Sequence, residues 1–362
     1  MSILKAREGL ESITPYKQGK SDIADHSNPI KLSSNESSFG PSPAALEAFH
    51  SCADTIHRYP DGSQATLRRA IADVYKLQDD QLVCGNGSEE LIGLLVRSFI
   101  NPGDELVLSE NHFVMCPIYG RAQGAEVIYA SEDNHQMDVD QLLAKVTDKT
   151  RMVIVANPNN PTGTYLPKTE IRRLHSGLSG DILLLLDEAY GEYVTRHDYE
   201  AGFDMVEQND NVVVTRTFSK IYGLAGLRVG WAYCPKEVLE TVQRLRTPFN
   251  ANSAAMAAAA AAVQDSDHLY MVREHNASWQ EKIAERLAEI GLKSPASVTN
   301  FYLVDFDGIT GKSARAAGDF LESRGIIPRP AGPDSSNSLR ITVGLDEENE
   351  AALAALAEYM AT

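Results

Sequence analysis

The sequence predicts an α/β protein: a large unit built on a mostly parallel sheet, followed by a smaller α+β unit. Three observations carry that reading. Short apolar, β-branched runs alternate with stretches of helical period up to Phe249, as in successive βαβ units. Polar and glycine-rich clusters come directly after the carboxyl ends of those runs, the edge where parallel sheets bind ligands. Beyond Phe249 the texture changes to a nearly all-Ala tract, a long amphipathic stretch and then short mixed strands and helices.

Taken in order, residues 1–34 are polar and broken by Pro15, Gly19 and Pro29, so they read as an arm rather than a domain. Ser42 is placed to cap a helix at 44–51. Arg58-Tyr59-Pro60-Asp61-Gly62 is a turn by composition, and taken alone Tyr59 is ordinary packing before it. A short strand at 80–83 leads into Cys84-Gly85-Asn86-Gly87-Ser88-Glu89-Glu90, which opens a helix. Glycines and a serine at a helix start leave N–H groups pointing outward, which suits a phosphate, although a Ser–Glu cap without ligand has the same sequence. Strands follow at 105–108 and 126–129, with a helix at 115–123 between them.

Three buried strands then end in unusual polar residues. The run 151–156 leads to Asn157-Pro158-Asn159-Asn160-Pro161-Thr162-Gly163, the run 182–186 to Asp187-Glu188-Ala189-Tyr190, and the run 211–214 to Thr215-Arg216-Thr217-Phe218-Ser219-Lys220. Parallel strands would point all three clusters at one crevice. The Ala tract at 253–263 reads as a helix at a crowded seam, and 269–290 as a long helix ending at Gly291. Strands at 299–306, 326–328 and 338–343, with helices at 314–323 and 347–360, complete a small unit. The expected division is an arm over 1–34, a large domain over 35–255 and a small domain over 256–362.

Composition bounds the function. The chain has 362 residues, more than one compact core of ordinary size holds. With 33 basic and 50 acidic residues its formal charge is −17, which argues against nucleic acid or an anionic membrane as partner. An anionic small-molecule substrate would therefore need a local cationic clamp. Cys52, Cys84, Cys116 and Cys234 form no C-x-x-C pair and no His/Cys cluster has ligand spacing, so reduced thiols and no metal site are expected. The N-terminus lacks a charged-then-apolar signal, and no apolar run reaches the roughly 18 residues of a membrane span. The expectation is a cytoplasmic protein.

Lys220 is the candidate nucleophile. A lysine amine held near neutral forms a Schiff base with an aldehyde, and pyridoxal 5'-phosphate is the cofactor that uses this chemistry. Such a cofactor needs a buried carboxylate against its ring nitrogen, for which Asp187 fits, and donors to its ring oxygen, for which Asn160 and Tyr190 fit. Its phosphate would rest on the helix start at Gly87, Ser88 and Glu89, the hydroxyls of Thr217 and Ser219, and Arg228. Alone, a lysine in a loop after a strand is a solvated charge; the company of Asn160 and Asp187 at matching strand ends turns the reading.

These motifs resemble the fold-type I aminotransferases: Asn160-Pro161-Thr162-Gly163, Asp187-Glu188-Ala189-Tyr190, Ser219-Lys220, and Arg228 within Gly226-Leu227-Arg228-Val229-Gly230. Within that family, Leu32-Ser33-Ser34-Asn35-Glu36, Arg58-Tyr59-Pro60-Asp61-Gly62 and Ser338-Leu339-Arg340-Ile341-Thr342-Val343-Gly344 are similar to the branch acting on histidinol phosphate. The resemblance covers nearly the whole chain. It implies a central seven-stranded-type sheet, a homodimer in which Tyr59 reaches the neighbouring subunit's cofactor phosphate, and substrate contacts from Tyr16, Asn35, Arg329 and Arg340. For Arg329 the alternative is a solvated loop residue, and for Tyr16 simple packing of the arm. One departure stands out: Met115-Cys116-Pro117 carries no aromatic where related sequences stack one on the cofactor ring, leaving His112, Phe113 or Tyr119 as substitutes.

The leading functional expectation is amino transfer between L-histidinol phosphate and 2-oxoglutarate by a ping-pong scheme, with Lys220 as Schiff-base former and proton carrier. The runner-up is an aromatic amino acid aminotransferase on the same scaffold. A decarboxylase of phosphorylated amino acids and a non-catalytic cofactor-binding regulatory module are weaker alternatives.

Overall fold

The computed structural model describes residues 6–7, 9–23, 26–331 and 337–362. Its largest sheet has seven strands, in the order Leu82–Gly85, Gly230–Tyr233, Val212–Thr217, Leu183–Asp187, Thr150–Ala156, Glu105–Ser109, Glu126–Ala130. Gly230–Tyr233 runs antiparallel to both neighbours, and the remaining pairings are parallel. The α/β expectation therefore holds. Leu183–Asp187 and Val212–Thr217 are buried at every position because apolar layers cover both faces of the sheet. Side chains alternate between those layers: Leu184, Leu186, Val212 and Val214 join one core, while Leu185 and Val213 join the other.

The strand Gly230–Tyr233 has no counterpart in the sequence reading. Only four residues long, it follows a glycine-rich loop whose turn signals mask it. Its first residue is nonetheless decisive, because Gly230 is the register partner of both Gly85 and Thr217. The strand expected at 80–83 begins later. Asp79–Gln81 forms a single 3-10 turn, and pairing starts at Leu82.

The second sheet is antiparallel, in the order Phe301–Asp305, Ser338–Thr342, Arg329–Ala331. Helices Ala314–Ser323 and Asp346–Ala361 enclose a separate core with it. Part of the expected arm is built into this unit: Ile30–Lys31 pairs in parallel with Ile326–Ile327, and Leu32 is buried in the smaller core. Residues 1–5, 8, 24 and 25 of that arm lie outside the described residues.

The cut expected between residues 255 and 256 falls inside helix Ser253–Gln264, which starts at Asn252, whose side chain accepts from the Ala255 N–H at 2.8 Å. Its buried alanines belong to the core of the larger sheet and pack on helices Pro43–His50 and Ala65–Tyr75. The crowded seam is real, but it lies within the large unit. Helix Ser266–Glu289 is the element that crosses: Val272 joins the larger core, and Trp279, Ile283 and Leu287 the smaller one. No helix among the described residues is long and apolar enough to cross a membrane.

Candidate active site

Ala156, Asp187 and Thr215 are register partners across three adjacent parallel strands, so the loops that follow open onto one crevice. Asp187 is buried, and its Oδ1 accepts a hydrogen bond from Thr215 Oγ1 at 3.1 Å. Burial pushes its pKa up to about 6, against the opposing pull of Thr215 and the nearby Lys220 charge. The Lys220 amine lies 5.5 Å from the centre of the Tyr190 ring and donates a long bond, 3.4 Å, to the Ser34 carbonyl. Burial first, and the Arg340 charge next, bring the Lys220 pKa down to about 7. An amine shifted that way carries a much larger neutral, nucleophilic fraction near neutral pH than an ordinary lysine does.

The Tyr190 hydroxyl accepts from Asn35 Nδ2 at 2.8 Å, and burial raises its pKa to about 12. Asn35 is itself fixed. Its N–H donates to Thr342 Oγ1 at 2.9 Å, its carbonyl accepts from Asn300 Nδ2 at 3.1 Å, and its backbone sits in the left-handed region with φ 55. Asn160 Oδ1 accepts from Arg340 Nη1 at 2.6 Å, which leaves the Asn160 amide hydrogens as donors to the crevice. Arg340 also donates from Nη2 to the Ser33 carbonyl at 2.9 Å, while its Nε is buried without a partner among the described residues.

Arg340 and Arg329 are register partners on neighbouring strands. Their Cβ atoms thus share one face at about 5 Å, a like-charge arrangement that is unfavourable without an anion between or near them. Arg329 donates to the Lys17 carbonyl at 2.8 Å, and its guanidinium carbon lies 5.5 Å over the ring of half-exposed Tyr16. Tyr16 packs on Arg329 as an arm residue, and both sit at the rim.

Two glycines let the groups expected to hold a phosphate come together. A Cβ on Gly87 would stand 2.6 Å from Arg228 Nη2, and one on Gly230 would stand 2.3 Å from the Ser88 nitrogen. Their absence lets the start of helix Ser88–Phe99, Arg228 and the Thr217–Ser219 turn converge. Arg228 Nη1 donates to Ser219 Oγ at 3.2 Å, and the Ser219 N–H donates to Thr217 Oγ1 at 3.1 Å. The Glu89 carboxylate bridges two neighbours, its Oε1 accepting from the Tyr119 hydroxyl at 2.9 Å and its Oε2 lying 4.0 Å from Arg228 Nη2.

Tyr59 is 83% exposed and stacks on Phe249 with ring centres 4.7 Å apart, facing solvent. Near the buried Cys116 thiol, His112 stacks on Tyr129 and Tyr119 is bound to Glu89. Phe113, packed at the margin of the core cluster that holds Cys116, is the aromatic left without a hydrogen-bonded or stacked role. The site also draws in Thr215, Asn300 and the buried Arg216, for which the sequence offers little signal beyond a charged residue between two threonines directly after an apolar run.

Strand ends, a near-neutral buried lysine, a buried carboxylate and a built anion pocket are what comparison with known proteins meets. The chain belongs to the aminotransferase class I and II family, whose profile matches residues 27–356. It is 48% identical over 355 residues to a histidinol-phosphate aminotransferase of Paramagnetospirillum magneticum, covering 98% of each chain. A histidinol-phosphate aminotransferase of Rhodopseudomonas palustris is 44% identical over 357 residues, again with 98% of each chain covered. Among solved structures, histidinol-phosphate aminotransferase from Sinorhizobium meliloti in complex with pyridoxal-5'-phosphate superposes with a TM-score of 0.90 at 29% identity, over 99% of both chains. Thermus thermophilus aspartate aminotransferase shares the fold, with a TM-score of 0.82 at 21% identity over 98% of this chain and 100% of that one.

Proposed function

We infer that the chain is a pyridoxal-phosphate-dependent aminotransferase of histidine biosynthesis acting on L-histidinol phosphate. The observation that carries the reading is a buried Lys220 amine, its pKa brought down to about 7, at a strand end neighbouring that of the buried Asp187 carboxylate and within reach of the Arg340 charge. The donor set fits the cofactor. Gly87 and Gly230 leave a cradle that a Cβ would fill, and the orphaned Arg340 Nε marks a place where an anion belongs. When bound, the cofactor supplies an electron sink for the substrate Cα.

The rest is the work of this chain. Lys220 would hold the cofactor aldehyde and, once released from it, carry the proton at the substrate Cα as base and then as acid. Asp187, ionised above about 6, would keep the ring nitrogen protonated. Asn160 and Tyr190 would donate to the ring oxygen. Thr217, Ser219, Arg228 and the amides at Gly87, Ser88 and Glu89 would hold the phosphate. Arg340, whose planar fork donates to phosphate or carboxylate alike, would serve L-histidinol phosphate in one half-reaction and 2-oxoglutarate in the other, with Arg329 binding the anionic end beside it and Tyr16 and Asn35 lining the pocket.

The proposed assembly is a homodimer in the cytoplasm. Tyr59, 83% exposed and stacked on the exposed Phe249, and Ile56, 77% exposed, present large apolar side chains to solvent, as do Leu46 and Phe49 of helix Pro43–His50. This apolar surface supports a second copy of the chain, with Tyr59 contributing to its neighbour's site. The deciding experiment compares kcat/KM for histidinol phosphate with that for phenylalanine and tyrosine. Histidinol phosphate is expected to lead by at least tenfold, about 1.4 kcal/mol of transition-state preference; a lead for phenylalanine of that size would replace this reading with an aromatic aminotransferase.

A further inference from the structure

Behind the strand ends that carry Asp187 and Lys220 lies a second charged cluster, on the opposite side of the same backbone. Strand alternation sends Thr215 and Thr217 to one face and Arg216 to the other. Arg216 is buried, with its Nε and Nη2 donating to Glu188 Oε2 at 3.1 and 2.8 Å and its Nη1 in an ion pair with Glu192 Oε1, 2.9 Å away. Glu188 is completed by the Gly202 N–H, which donates to its Oε1 at 2.7 Å. Glu192 is completed by the Tyr75 hydroxyl, donating at 3.0 Å, and that hydroxyl lies 2.8 Å from the Tyr222 hydroxyl. The guanidinium carbon rests 5.1 Å from the Phe203 ring and 5.7 Å from the Tyr75 ring. A Cβ on Gly191 would stand 2.7 Å from the same carbon, so the turn beyond Tyr190 approaches Arg216 as closely as a glycine allows.

Four members of this cluster stand within two residues of a group assigned to the cofactor side, and Tyr75 joins them from a separate helix. Glu188 follows Asp187, Glu192 lies in the turn after Tyr190, Arg216 separates Thr215 from Thr217, and Tyr222 lies in the loop after Lys220. We propose that Arg216, with Glu188 and Glu192, is a positioning triad that fixes Asp187, Tyr190 and the Thr217–Lys220 turn against the cofactor without touching it. An apolar filling would pack as well, but it would not tie three separate segments through directional bonds. A planar, five-donor guanidinium reaches both carboxylates at once, which a lysine ammonium does not.

The inference rests on the cofactor reading above, and the test separates the two. The purified enzyme is stripped of cofactor and titrated with pyridoxal phosphate, recording the dissociation constant, the pH midpoint of the bound cofactor's visible absorbance, and Tm. Arg216→Met alone strands two buried carboxylates and is expected to fold poorly, so the informative protein combines Arg216→Met, Glu188→Gln and Glu192→Gln. It is expected to fold with a dissociation constant raised at least tenfold and an absorbance midpoint displaced by half a pH unit or more. Arg216→Lys, which keeps the charge, is expected to fall between it and wild type, and it decides the matter alone if the triple variant does not fold. Wild-type affinity and midpoint in the triple variant, whatever its Tm, or in Arg216→Lys when that variant stands alone, would overturn the triad's positioning role. Failure of the wild-type protein to bind the cofactor would overturn the functional reading itself.

Discussion

The two faces of one pair of strand ends treat buried charge in opposite ways. On the Arg216 face each charge meets a partner, and side-chain and backbone donors complete the set. On the Lys220 face the amine has one long bond to a carbonyl, Asp187 has the Thr215 hydroxyl and the Ala189 backbone but no cation bonded to it, and burial drives both groups toward their neutral forms. The difference is not polarity or depth, since both sets are buried. It lies in whether the partners are supplied by the chain or left to be supplied by something that binds.

That contrast can be broken by mutation. Lys220→Met is expected to lower turnover by on the order of 10⁴-fold, the upper range for a positioned acid–base group, while leaving the cofactor-free protein as stable as wild type or more so, because it removes a desolvated amine. Arg216→Met is expected to do the reverse in kind, costing about 3–5 kcal/mol by leaving Glu188 and Glu192 unpaired. Urea denaturation of both proteins beside wild type measures the contrast, and equal destabilisation would erase it. A smaller effect belongs to Arg340→Ala. Losing its charge-assisted bonds is expected to raise KM for histidinol phosphate and for 2-oxoglutarate by roughly 10- to 150-fold, about 1.5–3 kcal/mol. Steady-state kinetics with unchanged KM for both would remove Arg340 from the substrate site.

The open face was the legible one. Asn160, Asp187 and Lys220 could be picked out because each lies in a polar cluster directly after a continuous apolar run, where packing does not explain it. The strands fall in adjacent register, and Asp187 pairs with Thr215 as the buried runs imply. Arg340 and Arg329 could be named only through family resemblance, since nothing local says that the strands Arg329–Ala331 and Ser338–Thr342 will set them side by side. The satisfied face was unreadable for a different reason. Glu188, Glu192, Arg216 and Tyr75 come from separate elements, and a single charged residue in a β-branched run does not announce which distant carboxylates complete it. The strand Gly230–Tyr233 was hidden in the same way, its ends set by pairing with Leu82–Gly85 rather than by its own four residues.

The central claim is that Lys220 is a near-neutral amine placed to hold the cofactor, and trapping tests it directly. Cofactor-free protein is mixed with pyridoxal phosphate across pH 5.5 to 9, reduced with borohydride at early times, and analysed by peptide mass spectrometry. Its folded pKa lies below the ordinary lysine value, so the reactive neutral form grows as pH rises through about 7. The expected result is one modified residue, Lys220, with an initial rate that climbs to half its plateau near pH 7. Label on another lysine, or a rate that stays low until pH approaches that of an ordinary lysine, would contradict the account.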